Sequence, residues 1–300
     1  MSTATAESAL SPADSQWHER RRSVVGASEV GLLFGLPSYG SRTIADLWFQ
    51  KKYGYEREPK GNASTALGNR LEPVILGMAE DHLGSRIIDR QRWCVKEAVG
   101  ATLDGIVAAD GAVIDAKTAG ILGPSKLAEW GEDGSDDCPD NYVLQLQTQM
   151  IVTGAELGYI AALIGGRGFA LFKIMPQAAL MAAIEEKAML FVESLRGELP
   201  PDEPPQLETL KRIRRQPNKV LDRSDDIEEL WEQLTSAKSD AKATENIVEK
   251  IQRQLLAKLG DAEAAQTSGG MITYFEQTNK YPAKLASEVS FRVLRFKKGG

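Results

Sequence analysis

The clearest hydrophobic pattern in the chain is a pair of short apolar runs joined by a turn. The first run, residues 99–109, is mainly apolar and carries one acid, Asp104. The second run begins at Ala112 and alternates, so Asp115 and Lys117 fall on one face of a strand. An Asp-Gly pair between the runs is typical of a tight hairpin turn. The pattern predicts a β-hairpin that brings two acids and a lysine together.

Helical and strand patterns precede this hairpin. Residues 43–54 and 65–83 have the apolar spacing of amphipathic helices, and residues 87–95 read as a strand. In the second helix Glu72 lies within the apolar stripe and Pro73 follows it. Because proline removes a backbone donor and disfavours helical geometry before it, we expect this helix to kink or restart there.

After the hairpin the pattern returns to helices and a second hairpin. The predicted elements are a helix at 141–153, strands at 157–164 and 168–174 joined by Gly-Gly-Arg, and a closing helix at 175–197. Helices first, then hairpin, helix, hairpin and helix, predict an α/β fold with a central mixed sheet flanked by helices.

A proline-rich stretch at residues 200–205 separates this part from a different pattern. Beyond it, apolar side chains recur at alternating spacings of three and four, which predicts a long heptad helix over about residues 224–260. Such a helix packs either in a coiled coil or on a domain. We therefore divide the chain into a disordered leader (1–15), a main α/β domain (16–200) and a C-terminal extension (201–300).

The end of the extension is basic. Residues 271–275 and 290–296 read as strands of a small β element spanning about 270–298. Six Lys and Arg residues face one acid between residues 280 and 298, which suits either contact with a nucleic-acid backbone or a solvated tail.

Composition narrows the setting. The 300 residues carry a net charge of −6, so any nucleic-acid contact requires a local basic patch. The two cysteines, Cys94 and Cys138, are far apart, which argues against a disulfide framework, a zinc site or an iron–sulfur cluster. No apolar run approaches the roughly 18 residues of a membrane span, and no signal pattern opens the chain. We expect a cytoplasmic protein without membrane contact.

The hairpin acids suit metal chemistry. Hard ions such as Mg²⁺ prefer carboxylate oxygens, and Asp104 and Asp115 would supply them. Lys117, on the same side, would orient water or stabilise a transition state. The alternative is that the acids cap turns and the lysine is a solvated strand residue. Apolar neighbours place Asp115 in a half-buried strand, where an acid without a partner is uncommon, and this favours the metal site.

Two further segments carry candidate polar groups. Arginines 20–22 precede a Gly-Ala-Ser segment that opens a helix at Ser28, an arrangement that binds anions; alternatively Ser28 is only an N-cap and the arginines are solvated. In the helix at 141–153, Gln145 and Gln149 share a face and Gln147 is offset. Such amides either serve a metal pocket or face solvent.

These motifs resemble a known family. Asp115-x-Lys117 resembles the second half of the PD-(D/E)xK nuclease motif. Across about residues 20–199 the motif order resembles the lambda-exonuclease-like, YqaJ-type viral recombinase family. The matching segments are Arg21 or Arg22 with Gly26-Ala27-Ser28-Glu29, Gly35-Leu36-Pro37-Ser38-Tyr39, Gly68-Asn69-Arg70-Leu71-Glu72-Pro73, and Pro139, Tyr142, Gln145 and Gln147. The chain departs from the family in having Asp115 where glutamate is commoner.

The resemblance implies a restriction-endonuclease-like core and a Mg²⁺-dependent 5′→3′ exonuclease acting on double-stranded DNA ends, leaving 3′ single-stranded tails. Mn²⁺ is the alternative metal, and two ions are expected. The implied metal ligands are Glu72, Asp104 and Asp115, and Lys117 with Gln145 would orient the attacking water. The implied contacts to the 5′-phosphate and DNA are Arg21 or Arg22, Ser28 and Gln147.

The resemblance also implies partners: a single-strand annealing protein, and further copies of the chain in a trimeric ring, within the cytoplasm of a bacterial host. Two other functions remain compatible with the sequence. One is a structure-specific or restriction-like endonuclease on the same fold. The other is a non-catalytic DNA-binding scaffold that uses the basic tail and the heptad helix.

Overall fold

The structure, a computed structural model, describes residues 5–7, 15–36, 42–55, 63–120 and 129–274. The chain divides into two compact units, Met1–Arg215 and Gln216–Gly300. The first unit extends past the proline-rich stretch because the chain there packs back onto it. The backbone N–H of Gln206, for example, donates to Asp46 Oδ1 at 2.7 Å. The division expected at residue 200 therefore falls later.

The described helices of the first unit include those predicted at residues 43–54, 65–83, 141–153 and 175–197. They are α1 Ser15–Arg22, α2 Val30–Leu33, α3 Ile44–Tyr53, α4 Ala63–Leu83, α5 Asp140–Thr153, α6 Ala178–Arg196 and α7 Leu207–Arg212. The helix predicted to open at Ser28 begins instead with a 3-10 turn, Ala27–Glu29, whose N-cap is Gly26. Ser28 lies inside this turn and is not its cap.

The strands of the first unit form two sheets. They are β1 Thr5–Glu7, β2 Val25–Gly26, β3 Ile87–Ile88, β4 Arg92–Lys96, β5 Val99–Leu103, β6 Gly105–Val107, β7 Val113–Ala119, β8 Gly158–Ile164 and β9 Gly168–Ile174. One sheet has the order β3-β6-β7-β8-β9 and the other β1-β4-β5-β2. In the five-stranded sheet β7 and β8 are parallel and the other pairs antiparallel. The predicted mixed α/β fold is confirmed.

Two predicted strands each divide between the sheets. The run 87–95 becomes β3 and β4, and the run 99–109 becomes β5 and β6, so the chain crosses between sheets at Asp104. Gly105 makes this crossing possible, because a Cβ there would lie 2.1 Å from Ile87 Cγ2. Alternating apolar residues cannot reveal such a crossing, since both halves keep the strand period.

Helix α5 contacts both sheets and so lies at the centre of the first unit. One apolar cluster fills the space between the four-stranded sheet and helices α2, α3, α5 and α6, and a second joins α5 to the five-stranded sheet. A third cluster lies on the opposite face of that sheet, under α4. The face of β7 that meets α5 therefore points inward.

Helix α4 runs through Pro73 without the predicted restart. Ile75, Leu76 and Ala79 are buried against the five-stranded sheet. Proline inside a helix costs about 3 kcal/mol, and burying two large aliphatic side chains contributes about as much or more. Packing thus keeps the helix continuous. The predicted stripe is only partly buried, since Leu67 and Val74 remain more than half exposed.

The second unit contains α8 Asp225–Leu259 and an antiparallel hairpin, β10 Ala264–Thr267 and β11 Gly270–Thr273. The predicted long helix is confirmed. The predicted strand at 290–296, the basic patch at 280–298 and most of the leader at 1–15 lie outside the described residues. Among the described helices, none combines the length and apolarity needed to cross a bilayer.

Candidate active site

A cleft of about 160 Å³ in the first unit brings together residues that are distant in sequence. Its wall includes Arg21 and Ser28 from the N-terminal segment, Glu72 from α4, Gln91 and Asp104 from the crossings between sheets, and Gln145 from α5. Glu72 and Asp104 form what we call its acidic side, and Arg21 belongs to its basic side. The cleft therefore suits an anion that binds to the arginine and, through a bound cation, to the acids.

Asp115 is the buried centre of the acidic side. Because β7 alternates, Val113 lies in the α5-side core and Asp115 and Lys117 follow on the same face. The Asp115 side chain is about 1% exposed, and Lys117 Nζ lies 2.5 Å from its Oδ2. Its Oδ1 accepts from Gln145 Nε2 at 3.0 Å and from Gln149 Nε2 at 2.8 Å. The predicted shared face of Asp115 and Lys117 is confirmed.

Asp104 lies beside this centre at the crossing from β5 to β6. Its Oδ2 accepts a hydrogen bond from the backbone N–H of Ala116 at 2.8 Å. Burial and then the charge of Asp115 raise the pKa of Asp104 to about 7, against the opposing charge of Lys117. Two carboxylates held together in this way repel each other, so a cation between them is favoured.

Lys117 remains charged in this setting. Burial lowers its pKa, but the charges of Asp115 and Asp104 outweigh burial and raise it. Its Nζ also donates to Gln145 Oε1 at 3.1 Å and lies 5.2 Å from the centre of the Tyr142 ring. The ammonium is thus fixed in position between the acids and α5.

Glu72 lines the same cleft and its charge contributes to raising the pKa of Asp104. Its Oε1, however, accepts from Gln91 Nε2 at 2.8 Å. Within the described ranges, no three side chains of Asp, Glu, His or Cys form a ready-made metal cage. Mg²⁺ commonly takes only one or two carboxylates and keeps several waters, so Asp104 and Asp115 suit it without a third acid.

The structure distinguishes between the two candidate arginines. The Arg22 guanidinium donates to the backbone carbonyls of Lys51 and Lys52 at 3.0 and 2.7 Å and pairs with Glu19 at 2.9 Å. Arg21 instead lines the cleft together with the exposed Ser28. Arg21 is therefore the one of the two that lines the cleft, and Arg22 joins α1 to the end of α3.

Glu29 supports this basic wall and was not singled out from the sequence. Its Oε2 accepts from the backbone N–H of Gly26 at 2.8 Å and lies 2.6 Å from Lys51 Nζ, while Arg21 lies 3.5 Å from its Oε1. Burial alone would raise the pKa of Glu29, but the charges of Lys51, Arg21 and Arg42 lower it to about 2. Burial also lowers the pKa of Lys51, against the charge of Glu29.

The contacts of the glutamines of α5 differ from those predicted. Gln147 is fully buried, donates to the carbonyl of Met175 at 2.8 Å and accepts from the N–H of Gln177 at 3.0 Å. It ties α5 to the start of α6, and the expected DNA contact of Gln147 is corrected accordingly. Gln149 lies on the face of Gln145, as the spacing predicted, and its hydrogen bond to Asp115 makes it a site residue that the family motif had not included.

The fold and the cleft agree with the nuclease motif that the sequence resembles. A strand-borne Asp-x-Lys pair on a mixed sheet, with a second acid from the neighbouring strand end, is the arrangement that the resemblance to the PD-(D/E)xK superfamily implies. Residues 16–156 match the family model described as YqaJ-like viral recombinase domain. The motifs of the sequence predicted this match.

Solved structures with similar folds are nucleases by name. An alkaline exonuclease from Laribacter hongkongensis is 22% identical, with 62% of this chain and 94% of that chain covered and a TM-score of 0.48. A phage-related exonuclease from Haemophilus somnus is 15% identical, with 59% and 96% covered and a TM-score of 0.46. These similarities are too distant to assign residue roles. Among curated proteins, no significant match is found.

Proposed function

We propose that this chain is a metal-dependent exonuclease that removes nucleotides from the 5′ strand of double-stranded DNA ends. The observation that carries the proposal is one cleft whose lining includes Asp104, Arg21 and Ser28. The buried pair of Asp115 and Lys117 adjoins Asp104 there. The family of residues 16–156 is that of viral recombinases, which supports DNA as the substrate.

The acidic side would carry the chemistry. Asp104 and Asp115 would hold Mg²⁺, or Mn²⁺ in its place, and the bound metal supplies an acidified water and offsets charge on the phosphate. Lys117, fixed by Gln145 at 3.1 Å, donates to the attacking water or to a phosphate oxygen. Glu72 stands beside Asp104 and supports a second ion. Gln149 holds Asp115 from behind.

The basic side would determine the direction in which the DNA strand is digested. Arg21 and the hydroxyl of Ser28, which line the cleft, would bind a terminal 5′-phosphate, so cleavage would proceed from the 5′ end. In keeping with the family resemblance, the product is a 3′ single-stranded tail, which a single-strand annealing protein takes over. A trimeric ring around the duplex would make digestion processive.

The test is a time course on linear duplexes with and without a 5′-phosphate, in Mg²⁺ and in EDTA, with a closed circular duplex alongside. We expect mononucleotide release from the phosphorylated linear duplex in Mg²⁺ alone. Nicking of the circle would favour an endonuclease. No nucleotide release from any of these substrates in Mg²⁺ would favour a non-catalytic scaffold.

Matched arginine variants separate the two sides of the cleft. Arg21→Ala is expected to abolish the preference for a 5′-phosphate while a slower, metal-dependent release persists. Arg22→Ala, whose guanidinium binds backbone carbonyls away from the cleft, is expected to keep the preference. Equal effects of the two variants on the preference would contradict the placement of the phosphate at Arg21.

A further inference from the structure

The second unit contains a helix whose apolar seam is not covered. Helix α8 is 35 residues long, and apart from Trp231 and Leu259 all of its side chains are exposed. Helices draw most of their stability from packing an apolar face, so a seam of this length indicates a helical partner. The seam residues are Ile227, Leu230, Leu234, Ala237, Ala241, Thr244, Val248, Ile251 and Leu255.

We propose that α8 pairs with α8 of a second copy of this chain in an antiparallel coiled coil. The alternating spacing of three and four is that of core positions in a two-helix coiled coil. With Ala241 set opposite Thr244 of the second copy, the larger side chains also meet one another. Leu230 then faces Leu255, and Leu234 faces Ile251.

The charges beside the seam favour the antiparallel orientation. In this register Lys238 faces Glu245 of the second copy, and symmetry repeats the pair. In a parallel pairing Asp240 would instead approach Glu245 twice, and like charges there are unfavourable. The other antiparallel flanking pairs within the helix bring no like charges together: Trp231 with Gln252, Gln233 with Gln254 and Asp240 with Ile247.

The contact is large enough for a specific interface. A helix of this length extends about 52 Å, and a contact strip about 10 Å wide covers roughly 500 Å² on each copy. The total of about 1,000 Å² reaches the lower range of specific protein interfaces. Because the seam is continuous, this area lies in one strip.

The first test uses the full chain and measures assembly mass by sedimentation or light scattering. Leu234→Asp is expected to halve the mass of the wild-type assembly and to weaken association at least about 100-fold, since it places a charge in the seam. Leu234 is exposed in the single chain, so its fold is kept. Ser239→Asp, on the outer face, is the matched control. An unchanged mass with Leu234→Asp would overturn the proposal.

The second test measures orientation through charge. Glu245→Lys and Lys238→Glu should each weaken the dimer about tenfold, because two attractive pairs become repulsive, and the double variant should restore it. Glu232→Lys, with the same charge change on the outer face, should have no effect. A parallel pairing predicts that Glu245→Lys strengthens the dimer, and that result would overturn the antiparallel assignment.

Cysteine cross-linking gives an independent readout. In the antiparallel register the two copies of residue 230 lie about 37 Å apart along the axis. Leu230→Cys alone should therefore form no disulfide-linked dimer, whereas a mixture of Leu230→Cys and Leu255→Cys chains should. The wild-type chain, whose two cysteines are buried, is the control. Efficient linkage of Leu230→Cys to itself would overturn the proposal.

Discussion

Two buried carboxylate–lysine pairs each adjoin a residue that lines the cleft, one pair beside Arg21 and the other beside Asp104. Lys51 Nζ lies 2.6 Å from Glu29 Oε2, and Lys117 Nζ lies 2.5 Å from Asp115 Oδ2. Both acids are buried, and both also accept further hydrogen bonds, Glu29 from the backbone of Gly26 and Asp115 from two amides. In isolation the pairs would be difficult to tell apart.

Their surroundings differ in the balance of charge. Around Glu29 the neighbours are cations, Lys51, Arg21 and Arg42, and they lower its pKa to about 2 despite burial. Beside Asp115 there is a second acid, Asp104, whose pKa is raised to about 7. An acid surrounded by cations stabilises structure, whereas an excess acid leaves negative charge that only an external cation or a proton can offset.

The largest expected difference comes from replacing each lysine by methionine. Lys117→Met should lower nuclease activity about 10³-fold or more, because it removes the donor beside the reacting phosphate. Its effect on stability should be near 1 kcal/mol, since Asp104, whose pKa is raised to about 7, can take up a proton. Lys51→Met should instead destabilise the fold by about 3 to 5 kcal/mol, because it leaves Glu29 buried without its cation.

Denaturant unfolding and the initial rate per folded molecule measure these two effects. Lys173→Met, at an exposed position of β9, controls for loss of a lysine. If Lys51→Met lowered the rate as strongly as Lys117→Met at unchanged stability, the contrast between the pairs would be wrong.

Acid should break the Glu29 pair. The folded pKa of Glu29 lies near 2, below the ordinary value of 4.5, so its stabilisation is present above about pH 4.5 and is lost as the pH falls toward 2. The loss is of the order of 3 kcal/mol. Unfolding free energies measured between about pH 5 and 2 should show this slope, and Glu29→Gln should reduce it. A slope unchanged in Glu29→Gln would contradict the assignment.

Metal binding at Asp104 and Asp115 should depend on pH, in contrast to the stabilising role of the Glu29 pair. Because the pKa of Asp104 is about 7 without metal, a cation must displace a proton below that pH. Mg²⁺ affinity should therefore rise by up to about tenfold per pH unit below pH 7 and level off above it. Calorimetry in buffers of different ionisation enthalpy measures the released proton. Asp104→Asn should bind weakly and without proton release; unchanged release would exclude Asp104 as its source.

The smallest expected effect distinguishes the two amides that hold Asp115. Gln145 contacts both Asp115 and Lys117 and lines the cleft, whereas Gln149 contacts Asp115 from the buried side. Gln145→Leu should lower the rate about 100-fold, and Gln149→Leu less than about tenfold. Initial rates at saturating Mg²⁺ measure this, and a reversed order would place Gln149 at the reacting groups.

Local sequence patterns predicted part of this site. Asp115 and Lys117 share a face because a strand has a period of two, and the helix of Gln145 follows from its apolar spacing; both follow from local rules. The hairpin pattern brought Asp104 to them, and the family motifs added Glu72 as an expected partner. The apolar seam of α8 likewise follows from its spacing alone.

Other features depended on contacts between distant segments. Arg21 and Arg22 are adjacent and chemically identical, and only the end of α3, by accepting from Arg22, separates their roles. In the sequence Gln147 and Gln145 are equivalent candidates, and only the hydrogen bonds of Gln147 to the segment that begins α6 distinguish their roles. Glu29 became the anchor of the basic wall through Lys51, 22 positions away in sequence.

The sequence alone determined the features that depend on a periodic pattern: the helices, the strands and the shared face of an acid and a lysine. It also determined the order of the family motifs. The tertiary structure decided which sheet each half of a strand joins, which arginine reaches the cleft and which carboxylate carries excess charge. Period is a property of neighbouring residues, whereas hydrogen-bond partners and charge balance depend on side chains that folding brings together from distant parts of the chain.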